Sequence, residues 1–151
     1  MEELQAGDQT IRFDRERTSK AYAAIVQGDA ERCRCASCLN FAAQRNAAYP
    51  QVFRSLLDRL GIDPNKEGEA YEEGTDGELF RYGGWFYLAG EIVVMGERLA
   101  EDPATGFRYW FGKASRLPKP LVDFGEKVIA LEFMTRIPWI ISPRPTESGV
   151  S

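Results

Sequence analysis

The segment from Leu79 to Gly96, LFRYGGWFYLAGEIVVMG, constrains the fold more than any other part of the chain. It is rich in aromatic and β-branched residues, which favour strands, and glycines interrupt it. The pattern predicts either two strands or one strand with a bulge at Gly83-Gly84. Gly90 and Glu91 break its apolar run, which is too short for a membrane span, so the segment belongs to a sheet.

Two later segments have the alternation of half-buried strands. Residues 107–115, FRYWFGKAS, alternate Phe107, Tyr109 and Phe111 with Arg108, Trp110 and Gly112. Residues 128–141, VIALEFMTRIPWII, place Ile129, Leu131 and Phe133 on one face until Pro138 ends the pattern. The strand aromatics either line a pocket or form the core, and their spacing favours the core. They are Tyr82, Trp85, Phe86, Tyr87, Tyr109, Trp110 and Phe111.

The first half of the chain has helical periodicity instead. A stripe of apolar residues predicts a helix over 15–27, ended by Gly28, and a second helical region runs over 41–60 and stops at Gly61. Pro50 interrupts the second region, so either one helix kinks there or a second helix begins with Pro50 in its first turn. Helices followed by strands predict an α+β fold, with N-terminal helices packed on a C-terminal, mainly antiparallel sheet.

The remaining segments are polar. Residues 1–10 and 142–151 are expected to be flexible tails of a single domain that spans 1–151. Residues 63–78 contain seven carboxylates and one lysine with three glycines, which predicts an acidic surface loop, with at most a short strand around Tyr71.

Charge and composition restrict the classes of partner. The 151-residue chain has a formal net charge of −4, so a nucleic-acid partner is disfavoured because such proteins normally carry a basic surface. No apolar run predicts a membrane partner, and the N-terminal MEELQAGDQTIRFDRE does not resemble a signal peptide. A cytoplasmic protein is therefore expected, and a protein partner remains open.

The chain contains no histidine, and no motif points to a familiar reaction. Ser-His-Asp chemistry is excluded, and there is no glycine-rich phosphate loop. No catalytic residue is predicted, so a binding or accessory role is favoured over an enzyme.

All three cysteines lie in one short stretch, ERCRCASCLNF, as Cys33, Cys35 and Cys38. Thiolates are good zinc ligands, and C-x-C-x2-C spacing allows one loop to surround one ion. Zinc normally takes four ligands, so the fourth would be Asp29 or Glu31, a water, or a group from a partner. The first hypothesis is therefore a small module that binds zinc, or a similar soft metal, through this loop.

Two other hypotheses stay open. Cys35 and Cys38 form a C-x-x-C sequence before a helix, which is typical of a thiol-disulfide redox site, although no βαβ pattern of the thioredoxin type precedes it. Alternatively, the cysteines are small buried residues at a helix–loop–helix joint. The chain would then be an interaction module without metal, using the acidic 67–78 segment and the aromatic surface of the sheet.

Four stretches together resemble a family of small bacterial proteins. They are CRCASCLNF, YPQVFRSLLDRLGIDPNKEGE, RYGGWFYLAGEI and LEFMTRIPWII, and they cover most of residues 18–141 in the expected order. The family has no established activity, so the resemblance implies no catalytic residues. Its GGW segment is similar to GGWFHFVG, with a histidine two positions after the tryptophan; Tyr87 occupies that position here, so a role of that histidine does not carry over.

Overall fold

A computed structural model describes residues 1–143, which form five α-helices and seven strands. The strands are β1 (Glu2–Ala6), β2 (Gln9–Phe13), β3 (Glu69–Asp76), β4 (Leu79–Val94), β5 (Ala100–Glu101), β6 (Arg108–Lys113) and β7 (Val128–Ile137). The helices are α1 (Arg15–Ala23), α2 (Asp29–Cys33), α3 (Ala36–Ala43), α4 (Arg45–Ala48) and α5 (Gln51–Leu60), with a 3₁₀ turn at Ala114–Arg116. Most of the predicted C-terminal tail, residues 144–151, lies outside the described residues.

All strand pairs are antiparallel, and β4 is the centre of the sheet. The order is β1-β2-β4-β7-β6-β5, and β3 also pairs with β4. The first half of β4 pairs with β3 and its last residues, from Gly90 to Val94, pair with β2 on the same edge, while β7 covers the other edge. The predicted α+β fold with a mainly antiparallel sheet is therefore confirmed.

Residues 79–94 form a single 16-residue strand, β4, without the bulge expected at Gly83-Gly84. Gly83 and Gly84 pair in continuous register with both neighbouring strands. A side chain at Gly83 would collide with the Tyr71 ring, and one at Gly84 with the Phe133 ring. The glycines therefore let an aromatic ring lie directly against the backbone of β4 on each face.

The helices cover one face of the sheet through an aromatic core. Phe53 of α5 is fully buried and lies 4.7 Å, centroid to centroid, from Phe107 and 5.8 Å from Phe133. Tyr49 packs edge-on against Phe86 and Phe133. No helix within residues 1–143 has the length and apolar character needed to cross a membrane.

The helices differ from the sequence prediction at the end of α1 and in the region predicted over 41–60, where α3 already begins at Ala36 and α4 and α5 follow as separate helices. Helix α1 ends at Ala23, and Gly28 is the N-cap of α2 rather than the end of α1. Glycine is required at Gly28 because a Cβ there would lie 2.6 Å from the carbonyl oxygen of Asn65. At Pro50 the two-helix alternative is correct: Pro50 is the N-cap of α5, and Gly61 ends that helix with φ +80° as predicted.

Two polar segments are strands rather than a flexible tail or a loop. Residues 2–13 form the β1–β2 hairpin, and the buried side chains of Ile11 and Phe13 fix β2 to the core. Residues 69–76 form β3, in which Ala70 is buried and the other residues are partly buried or exposed. The flexible tail predicted for residues 1–10 is wrong, whereas the strand expected around Tyr71 is present and is longer than predicted. Edge strands with one solvent face need few apolar residues.

The opposite face of the sheet is crossed by residues 117–125, LPKPLVDFG, here called the strap. Trp85 and Tyr87 point to this face, since side chains alternate along β4 and Phe86 points to the helices. The Tyr87 hydroxyl donates to the carbonyl oxygen of Pro118. Phe124 is buried between Tyr22 and Tyr87, and these contacts hold the strap against the sheet.

Candidate metal centre

The cysteine loop is a sharp joint between two helices. Helix α2 ends at Cys33, Arg34 takes the left-handed conformation with φ 58°, and Cys35 is the N-cap of α3. A non-glycine residue in this conformation costs about 1–2 kcal/mol. The joint reverses the chain within one residue, which brings the side chain of Cys33 back towards those of Cys35 and Cys38.

The three sulfurs converge. The Sγ atoms of Cys33, Cys35 and Cys38, here called the cysteine cluster, all lie within 4.8 Å of one another, and none is in a disulfide. With zinc–sulfur bonds of about 2.3 Å, tetrahedral geometry places thiolate sulfurs about 3.8 Å apart. The cluster would thus have to contract by at most about 1 Å to hold an ion. Cys33 and Cys35 are exposed and Cys38 is buried, so the cluster opens to solvent on one side.

The surroundings of the cluster shift the pKa values of Cys35 and Cys38 in opposite directions. Burial opposes ionisation of Cys35, but the backbone N–H of Cys38, 3.4 Å from its sulfur, and the neighbouring thiols of Cys38 and Cys33 lower the pKa of Cys35. Burial raises the pKa of Cys38, as do the other two sulfurs. The Cys38 thiol itself lies 3.9 Å from the carbonyl oxygen of Ala70.

Both predicted carboxylate ligands are engaged elsewhere. Asp29 accepts from the backbone N–H of Ala70 at 3.2 Å and pairs with Arg32 at 3.4 Å. Glu31 accepts two hydrogen bonds from Arg45, at 2.8 and 2.9 Å, and although burial opposes the effect, Arg45 lowers the pKa of Glu31. Within the described residues the metal-binding group consists of the three cysteines alone. The identity of a fourth ligand therefore stays a prediction.

A buried ion pair that sequence reasoning missed supports the helix carrying Cys33. The Glu67 carboxylate is fully buried, accepts from Arg45 Nε at 2.9 Å, and also accepts from the backbone N–H of Ala30 at 2.8 Å. The Glu67 carbonyl accepts from Asp29 N. Burial raises the pKa of Glu67 while Arg45 opposes that shift. Nothing in the sequence singled out Glu67, because it lies in an acidic stretch that resembles a solvated loop.

A second concave site lies beside the cluster, on the strap side of the sheet. The cavity, here called the strap pocket, has a volume of about 210 Å³. Its wall includes Asp29 and Arg32 of α2, and Trp85 and Tyr87 of β4. Trp85 and Tyr87, two of the aromatics expected either in a pocket or in the core, line this pocket although both are buried. Residues of the core face, such as Phe86, do not.

Comparison of the chain with protein-family models, curated proteins and solved structures gave no match. The resemblance to a family of small bacterial proteins therefore stays a prediction.

Proposed function

We propose that the protein is a metal-binding accessory module whose cysteine cluster holds zinc or another soft divalent ion. The observation that supports this is the mutual approach of all three sulfurs, within 4.8 Å, in a chain without histidine. A single disulfide needs only two sulfurs, whereas a tetrahedral ion uses three and leaves one position for a further donor.

The hydrogen bonds around the cluster suit thiolate ligands. The N–H group of Cys38 already points to the Cys35 sulfur, at 3.4 Å. Such N–H···S contacts reduce the negative charge on coordinated thiolates and orient them. An ion would remove the proton from Cys38 at neutral pH, since a coordinating thiol is deprotonated outright. Solvent access on the side of Cys33 and Cys35 leaves room for a water or a partner's side chain as fourth ligand.

The proposal extends to the setting of the protein. Three free thiols are maintained in a reducing compartment, so we place the protein in a bacterial cytoplasm. A protein partner that donates the fourth ligand would explain why Asp29 and Glu31 are committed to Ala70 and Arg45 instead.

The direct test is a metal titration of reduced protein purified without a metal-binding tag. We expect one zinc per chain, and an at least about 100-fold weaker affinity for Cys33→Ser, because losing a ligand exceeds the 10–100-fold effect typical of losing a second-shell contact. Cys33 is exposed, so this variant preserves the core. Ser37→Ala, in the same loop but outside the cluster, should bind like the unmodified protein. Absence of stoichiometric metal, with three freely titrating thiols, would refute the proposal.

A second candidate function is thiol–disulfide exchange by Cys35 and Cys38. The specific observation is their asymmetry: Cys35 is exposed with a lowered pKa, and Cys38 is buried with a raised one. The Cys35 thiolate would attack a substrate disulfide and release one substrate thiolate. The Cys38 thiolate would then attack Cys35 Sγ, release the second, and leave the protein oxidised by two electrons.

One pair of variants separates the two functions. Cys33→Ser removes a metal ligand but leaves the exchange pair intact, whereas Cys35→Ser removes both functions. If disulfide exchange persists in Cys33→Ser while metal affinity is lost, both chemistries are present. If Cys33→Ser retains full metal affinity, the three-thiolate site is wrong. If Cys33→Ser loses disulfide exchange, the assignment of exchange to Cys35 and Cys38 is wrong.

A further inference from the structure

The cysteine cluster offers three sulfurs and, within residues 1–143, no fourth donor. The metal-binding group of that part of the chain contains the three cysteines alone. The carboxylates of Asp29 and Glu31 on α2 are held by other hydrogen bonds. Zinc reaches its usual four ligands here only with a water or a group from a partner. A centre that bonds to three sulfurs and needs no fourth ligand matches the cluster more closely.

All three sulfurs can be reached from solvent. Cys33 and Cys35 are exposed. Cys38 is buried, but its sulfur is in hydrogen-bonding contact with the sulfurs of both exposed cysteines. An atom that enters between Cys33 and Cys35 therefore meets the third sulfur without opening the core. The exposed side chain of Cys33 can rotate between staggered conformers to close the remaining distance.

The balance of charge favours a trivalent centre over a divalent ion. Three thiolates around a divalent ion leave one net negative charge. The carbonyl oxygen of Ala70 lies 3.9 Å from the Cys38 sulfur and disfavours negative charge on this buried side of the cluster. Three thiolates around a trivalent centre form a neutral group, and a neutral group is buried at a lower cost than a charged one.

We infer that the cysteine cluster binds a trivalent metalloid, taken up as arsenous acid. Each thiol replaces one hydroxyl group: an arsenic–sulfur bond forms, an arsenic–oxygen bond breaks, and the thiol proton leaves with the hydroxyl as water. Arsenic keeps its oxidation state, so no oxidant or reductant is needed. Its lone pair occupies the fourth position, on the side of the cluster that is open to solvent. The inference rests on the three-sulfur site of the proposed function and names its ligand class, but it does not require zinc to bind.

Native mass spectrometry of the full-length protein with arsenous acid counts the bonds. The protein is reduced with a phosphine, so that no added thiol competes for arsenic. We expect one arsenic per chain, with a mass gain of one arsenic atom minus three hydrogen atoms. A site that used only two sulfurs would keep one hydroxyl group on arsenic, which gives a larger mass gain.

One variant and two controls assign the third bond. Cys33→Ser should keep a hydroxyl group on arsenic and bind at least about tenfold more weakly, because the third thiol acts at a high effective concentration. Ser37→Ala, in the same loop, should bind like the unmodified protein. Phenylarsine oxide has positions for only two thiols, since its third bond is to carbon. It should still bind Cys33→Ser through Cys35 and Cys38, which shows that the variant is folded with reactive thiols.

The inference is overturned if arsenic keeps a hydroxyl group in the folded, unmodified protein, or if Cys33→Ser binds arsenous acid as tightly. Its failure is separable from that of the proposed function. Stoichiometric zinc without arsenic binding refutes this inference alone. Arsenic bound through three sulfurs, without a stoichiometric divalent ion, refutes the divalent-ion proposal alone and supports this one.

Discussion

The cysteine cluster and the strap pocket meet at the start of β3 but are assembled in different ways. Cys38 contacts the backbone of Ala70, while the preceding residue, Glu69, lines the pocket. The cluster comes from six consecutive positions and one reversed turn. The pocket combines residues from Tyr22 to Phe124, which are distant in sequence. The cluster thus depends on local backbone geometry, and the pocket depends on the packing of the whole sheet.

Helix α2 is the structural link between the two regions. It carries Cys33 at its end and contributes Asp29 and Arg32 to the pocket wall. Glu67 holds its first turn through Ala30 N and connects it to Arg45. A disturbance of α2 should therefore affect both regions, whereas a change within either region should affect that region alone.

The largest effect is expected for Glu67→Ala. Removing one partner of a buried ion pair typically costs about 3–5 kcal/mol, and here it also frees the N–H of Ala30. We expect the free energy of unfolding, measured with denaturant, to fall by about 3 kcal/mol, the lower end of this range, because Glu31 still pairs with Arg45. Asp76→Ala, which breaks an ion pair with Arg136 that is about half exposed, is the control and should cost less than about 1 kcal/mol. Equal losses for the two variants would contradict a supporting role for Glu67.

A smaller effect distinguishes the thiols within the cluster. In metal-free, reduced protein the lowered pKa of Cys35 means that its reactive thiolate appears at lower pH than for an ordinary thiol of pKa about 8.5. Alkylation of Cys35 should therefore reach its half-maximum at a lower pH than alkylation of an unstructured cysteine peptide measured under the same conditions. Cys38, buried and with a raised pKa, should react only after unfolding.

Mass spectrometry of protein alkylated across a pH series measures this for each cysteine. Cys38→Ser is the control: it removes one neighbouring sulfur from Cys35 and should move the alkylation midpoint of Cys35 upwards. Reaction of Cys38 in the folded state at the rate of Cys35 would contradict the asymmetry on which the redox candidate rests.

The smallest effect concerns the reversed turn itself. Arg34→Gly removes a left-handed strain of about 1–2 kcal/mol, but glycine loses about 0.5–1 kcal/mol more conformational entropy on folding. The variant should be more stable by up to about 1.5 kcal/mol in thermal or denaturant unfolding. Gly61→Ala makes the opposite change at φ +80°, where a Cβ would lie 2.8 Å from the Arg15 carbonyl oxygen, and should destabilise. A loss of stability in Arg34→Gly would show that the turn is not strained.

The distinction between local backbone geometry and contacts distant in sequence also explains which features could be predicted from the sequence. The cysteine cluster and strands β4 and β7 were predictable because the relevant pattern lies within one continuous stretch. Pro50 and Gly61 were informative because their backbone preferences are local. Edge strand β1 was missed, and only a short part of β3 around Tyr71 was expected, since the polar composition of both is that of a loop.

The pocket and its supporting ion pair depended on distant contacts. Glu67 resembles its solvated neighbours in sequence, and only the fold places it beside Arg45. Trp85 was a candidate for the core or for a pocket, and alternation along β4 could not show which face the strap would cover. Those features require the three-dimensional arrangement of α1, α2, β3, β4 and the strap.

The most direct test of the metal-binding account is X-ray absorption spectroscopy of the zinc-loaded protein. It counts the sulfur donors around the ion. The account predicts three sulfurs at about 2.3 Å and one nitrogen or oxygen donor at about 2.0–2.2 Å, with two sulfurs in Cys33→Ser. Two or fewer sulfurs in the unmodified protein, or a spectrum that Cys33→Ser leaves unchanged, would contradict a centre formed by Cys33, Cys35 and Cys38.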